Sequence, residues 1–152
     1  MTKRQVLLET ISALLIMLFL YASLSKLLSF QAFVHQMDNQ PFPNSWTPFL
    51  VWTLPSLEIA IALALMFERT RLTGLYTSFV LMILFTIYIA FILSHFFGYV
   101  PCSCGGVIEK LTWGQHLVFN LFFVALSFIG ILLQRGIFFK PIITNKNKNS
   151  FV

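Results

Sequence analysis

Four apolar runs, at about residues 6–29, 48–67, 72–97 and 112–133, fill most of this 152-residue chain. Each is long enough to cross a hydrocarbon core as a helix. Nothing else constrains the fold as strongly. A segment without water around it must satisfy its own backbone, which leaves helices or closed barrels. Long continuous apolar runs point to helices rather than to strands of alternating polarity. Composition agrees, with 58% hydrophobic and 10% charged residues, against about 45–50% and about 25% in soluble domains. The expected fold is an all-α membrane protein, an antiparallel four-helix transmembrane bundle within residues 1–134. A basic tail, residues 135–152, follows and is expected to be disordered. A second domain does not fit in the remaining length.

Local signals place the ends of the runs. Thr2 and Gln5 have capping-box spacing at the start of the first run. A cleaved signal peptide is the competing reading of a basic start before an apolar run. The run is too long for that, carries Glu9 and lacks a small-x-small cleavage site. Beyond it, Phe30, Phe33, Val34 and Met37 recur at helical spacing, so the helix is expected to continue as an amphipathic stretch at the interface. Pro41 and Pro43 break it. Thr47 and Pro48 read as N-cap and first residue of the second span, with Trp46 and Trp52 at interfacial depth and Pro55 predicting a kink. Glu68-Arg69-Thr70-Arg71 is a tight charged turn, and Thr112 with Gln115 repeats the capping-box spacing before the last span.

The basic residues set an orientation. Lys3 and Arg4, Arg69 and Arg71, and Arg135, Lys140, Lys146 and Lys148 of the tail fall on one side; the other side has Lys110, with Lys26 near the end of the first span. The positive-inside rule then puts both termini in the cytoplasm and the connection between the third and fourth spans outside. For a bacterial inner membrane, the outside is the periplasm, where disulfides persist. The net charge of +5 is spent on this asymmetry rather than on a patch, so a lipid bilayer and not nucleic acid is the expected partner.

Both cysteines lie in that outer connection, in Pro101-Cys102-Ser103-Cys104-Gly105-Gly106. Three chemistries compete for the pair. A disulfide between residues two apart needs a sharp bend to bring the sulfurs to about 2.05 Å, and strained, exposed disulfides exchange readily. Pro101 and the two glycines suit such a bend. Two thiolates also suit Cu(I) or Zn, a copper-handling role, but further ligands would have to come from His35, His95 or His116. The third reading is an inert bridge or two small loop residues.

Ionisable groups inside spans are candidates for function because of what they cost there. Glu58 lies well inside the second span, and Lys26 nearer the outer edge of the first. A buried pair between them would need tilt or a lysine that reaches down; a proton path or quinone contact is the functional alternative. On the last span Trp113, His116, Asn120 and Ser127 share one helical face. His116 is a candidate proton acceptor for the cysteines, and Asn120 a candidate quinone contact alongside Glu58 and Lys26. The bland reading of this stripe is interhelical hydrogen bonding. Phosphate-binding and hydrolase motifs are absent from the sequence.

Ser23-x-x-Lys26 late in the first span and Glu58 within the second resemble the DoxX-like membrane proteins. Cys102-Ser103-Cys104-Gly105-Gly106 leading into the fourth span resembles the methylamine-utilisation MauE branch of that superfamily. The likeness covers most of residues 6–133. The family more often has Phe-Gly where this chain has Gly105-Gly106. The resemblance implies a redox-associated membrane protein, a thiol–disulfide oxidoreductase supporting maturation of methylamine dehydrogenase, with a periplasmic thioredoxin-like partner. A membrane quinone is the cofactor such chemistry would use. The alternative is a non-catalytic assembly factor that holds a periplasmic redox enzyme at the bilayer.

Overall fold

The computed structural model describes residues 2–96 and 112–136. Among them it contains helices and turns and no strand: α1 Lys3–Leu28, α2 Phe30–Asp38, α3 Thr47–Met66, α4 Arg71–Leu93 and α5 Trp113–Gln134. Of these, α1, α3, α4 and α5 are long and apolar enough to cross a membrane. The protein is thus all-α, as its four apolar runs require. The long helices form a ring in which α1 packs on α3 and α5, and α4 on the same two, with little contact across the α1–α4 diagonal. Large apolar side chains cover the outside on every face, Met17, Leu63, Val80 and Val118 among them. Serine, asparagine and glutamate lie inside. A helix apolar all round fits lipid rather than water.

One half of the bundle is tightly packed. Leu8, Ile11, Leu15, Ile61, Leu65, Leu75 and Ile131 form its core. Two glycines let the backbones approach: a Cβ on Gly74 would stand 3.0 Å from the backbone nitrogen of Leu65, and one on Gly130 would stand 2.8 Å from a Leu75 methyl. Small residues at such crossings are how helices associate where no hydrophobic force operates between them. The buried serines turn inward to their own helices. Ser12 Oγ donates to the Leu8 carbonyl at 2.9 Å, Ser78 to Gly74 at 2.7 Å and Ser127 to Phe123 at 2.9 Å. Ser127 therefore satisfies itself one turn back, not across an interface as the stripe on the last span suggested.

The helix ends are specified chemically. Both predicted capping boxes are present, at Thr2 with Gln5 and at Thr112 with Gln115. At the far end of the chain, the Arg4 guanidinium donates to the carbonyls of Leu133 (2.8 Å) and Gln134 (3.1 Å). It thereby caps the C-terminus of α5, where the last carbonyls lack helical partners and the dipole favours a cation. Arg4, the Glu68–Arg71 turn and Arg135 consequently gather at one end of the ring.

Three boundaries differ from the sequence expectation. Ser29, at φ −111° and ψ 43°, interrupts the helix, so residues 30–38 form a separate element and not a continuation of α1. Its Phe33 and Met37 are buried with Val51, and Phe30, Val34, Leu50 and Leu54 pack around them. Thr47 is the first helical residue rather than the cap, because a 3-10 turn, Asn44–Trp46, leads into α3 and the Asn44 carbonyl already accepts the Thr47 N–H. α4 stops at Leu93, short of residue 97. There Ser94 caps, His95 takes the left-handed conformation (φ 54°), and the N–H groups of His95 and Phe96 reach the carbonyls of Ile92 (3.0 Å) and Phe91 (3.3 Å). Phe91 and Phe96 complete this Schellman stop with rings 5.4 Å apart.

Two substitutions test these devices by unfolding in detergent micelles. Gly74→Val should destabilise by about 1–3 kcal/mol, since it overpacks against backbone that cannot move aside. His95→Gly should stabilise by about 0.5–1 kcal/mol, relieving the left-handed strain at a modest entropic cost.

Candidate functional site

Away from the packed half, the ring opens into a cavity of about 370 Å³. It lies where α4 ends and α5 begins, the end opposite Arg4 and Arg135. Its walls are mostly apolar and aromatic: Phe33 and Met37 of α2, Trp46, Leu50 and Leu54 around the start of α3, and Leu84, Phe85 and Ile89 of α4. Five polar residues interrupt them: Lys26, Gln40, Tyr88, His116 and Asn120. A largely apolar pocket with few convergent polar groups is the usual form of a small-molecule site.

The deepest feature beside it is an ion pair. Lys26 Nζ lies 2.7 Å from Glu58 Oε1, with side-chain exposures of 12% and 2%. Side chains on a helix lean toward its N-terminus. α1 and α3 are antiparallel, so Lys26 leans down while Glu58 leans up, and the two converge. The lysine follows its own helix back far enough to lie 3.4 Å from the Ala22 carbonyl. Its ammonium also stands 6.0 Å from the Phe33 ring centroid. Glu58 Oε2 is buried without a hydrogen-bond partner among the described residues. Lys26 lines the cavity and Glu58 stands behind it.

The polar stripe on α5 meets the same space. Trp113, His116 and Asn120 all line the cavity, and the rings of Trp113 and His116 are 6.3 Å apart. Asn120 is 7% exposed, and its side-chain amide makes no hydrogen bond among the described residues. Across from it, Tyr88 Oη donates to Gln40 Oε1, and Gln40 Nε2 donates to the Gln36 carbonyl at 3.1 Å. The Tyr88 ring stacks on Phe42 with centroids 5.4 Å apart.

Lys26, Asn120 and His116 thus come together, with Glu58 one contact away. Cys102 and Cys104 lie outside the described residues, on the connection between Phe96 and Thr112. His35 and His95 are exposed, on α2 and at the α4 stop, and only His116 lines the cavity. Among the described residues no three His, Cys, Asp or Glu side chains cluster as metal ligands. Sequence reasoning did not find Gln40, Tyr88, Phe33 or Phe42. The signal for the first two was weak: a tyrosine in an otherwise apolar span, and a glutamine at the proline break.

The ion pair yields a test. Lys26→Met alone should destabilise the bundle by about 3–5 kcal/mol, because it strands a buried carboxylate, whereas Lys26→Met with Glu58→Leu should recover most of that loss. Denaturant titrations of single and double variants in micelles measure the difference.

The family model of methylamine utilisation protein MauE matches residues 4–133, from the first turn of α1 to the last turn of α5. No curated protein and no solved structure matches the chain.

Proposed function

The chain belongs to the MauE family, and from that premise we propose that this multi-pass membrane protein exchanges thiols and disulfides through Cys102 and Cys104 with a thioredoxin-like partner in the periplasm. The family's description ties it to methylamine utilisation, so the client is a disulfide-bearing protein of that process. One observation carries the reading. Arg4, Arg69, Arg71 and Arg135 collect at one end of the ring, and the connection bearing both cysteines joins α4 to α5 at the other. With the basic end in the cytoplasm of a bacterial inner membrane, the thiols meet an oxidising compartment.

The exchange balances within the two proteins. A thiolate of one cysteine attacks a sulfur of the partner's disulfide, forming a mixed disulfide, and the departing partner thiolate takes up a proton. The second cysteine, as thiolate, then attacks the mixed disulfide. The Cys102–Cys104 bond forms and the partner leaves as a dithiol; read backwards, the same steps oxidise the partner. His116, the fourth residue of α5, serves as proton acceptor for the attacking thiol.

Single Cys102→Ser and Cys104→Ser variants separate the roles. One of the two should accumulate a reducible, partner-sized adduct on non-reducing gels, and the double variant should not. Normal disulfide content of the periplasmic client in a strain carrying the double variant would overturn the redox reading and leave a non-catalytic assembly factor in its place.

A further inference from the structure

The cavity has features that exchange at the cysteines does not use. Trp46, just before α3, and Leu84 of α4 line it and are 58% and 56% exposed among the apolar residues of the outer surface. A lipid-soluble molecule can enter beside them. Phe33, Phe42 and Phe85 line it with aromatic rings, against which another ring can pack. Of the five polar residues that line it, Tyr88 already donates to Gln40, and two others offer donors: the Lys26 ammonium from α1 and the buried Asn120 amide from α5, which has no partner among the described residues. Lys26 is already neutralised by Glu58 at 2.7 Å. An anionic headgroup would therefore bring an uncompensated charge into a buried site, which is costly. A neutral ring carrying carbonyl oxygens and an apolar tail brings none.

We propose that this cavity binds the headgroup of a membrane quinone, with Lys26 and Asn120 donating to its ring oxygens and the tail leaving beside Trp46 and Leu84. As an electron acceptor the quinone rests on the cysteine reading above; as a ligand it does not. In the direction that oxidises the partner, Cys102 and Cys104 are left as thiols, and re-forming their disulfide releases two electrons and two protons. A bound quinone would supply the acceptor for both electrons, the two protons leaving on it as quinol. The Lys26–Glu58 pair, hydrogen-bonded at the cavity wall, is placed to pass one of them.

The test uses the purified full chain in micelles, with decylubiquinone as probe and decylbenzene as the partitioning control. Trp52 does not line the cavity, so a Trp52→Phe background leaves Trp46 and Trp113 as reporters. Decylubiquinone should quench their fluorescence saturably, the control should not, and Asn120→Leu should weaken the apparent affinity at least tenfold while unfolding at an unchanged midpoint. The Cys102→Ser/Cys104→Ser variant should bind as the parent does but fail to reduce the probe, followed by quinone absorbance after the protein is pre-reduced. Binding without reduction by the parent keeps the cavity assignment and overturns the quinone as the acceptor of the cysteines' electrons. A trapped mixed disulfide with no saturable quenching keeps the cysteine reading and overturns the quinone site. Quenching unaffected by Asn120→Leu, or a co-purified phospholipid that decylubiquinone cannot displace, overturns it as well.

Discussion

Everything inside this ring of helices is governed by the absence of water. A polar group that enters the bundle must find its partner within the protein, and the Lys26–Glu58 contact is where that demand is greatest. Two opposite charges on antiparallel helices lean toward each other and meet at 2.7 Å. Removing both would cost little; removing one would be severe. The pair ties α1 to α3 beside the cavity, and Lys26 is one of the residues that line it.

The same constraint divides the bundle into two halves. Toward the basic end, glycines at 74 and 130 let helices touch, and serines bond back to their own carbonyls, so the interior closes. Toward the other end the side chains are larger, α2 inserts Phe33 and Met37, and the helices stand apart around a chamber. The dense half holds the geometry, and the open half is free to bind. Membership in the MauE family fits this division, since the match runs through both halves and through the connection that bears the cysteines.

Much of this was legible in the sequence, for identifiable reasons. Hydrophobic length gave four spans, and side-chain caps at Thr2 and Thr112 gave two helix starts, because both signals are local. The end of α4 was not legible: a histidine holds the left-handed position where glycine is the usual residue. Nor was the start of α3, since a 3-10 turn supplies a backbone partner that makes the Thr47 side chain redundant as a cap. The Lys26–Glu58 contact was legible only as a pair needing tilt or a lysine that reaches down, and the lean of both side chains toward their helix N-termini supplies that reach. Tyr88 and Gln40 escaped notice altogether. Their meeting depends on the turn after α2 reaching across to α4, which no spacing rule encodes.

The Arg4 clasp also imposes an order on assembly. Its two acceptors are carbonyls of Leu133 and Gln134, so a residue of the first span is held by residues made about 130 positions later. Until the fourth span has left the translation machinery, α1 has no lock at its basic end and the ring stays open on the α1–α5 side. Closure is therefore a late event in biosynthesis, and the seam between the first and last helices is where a nascent chain stays open longest.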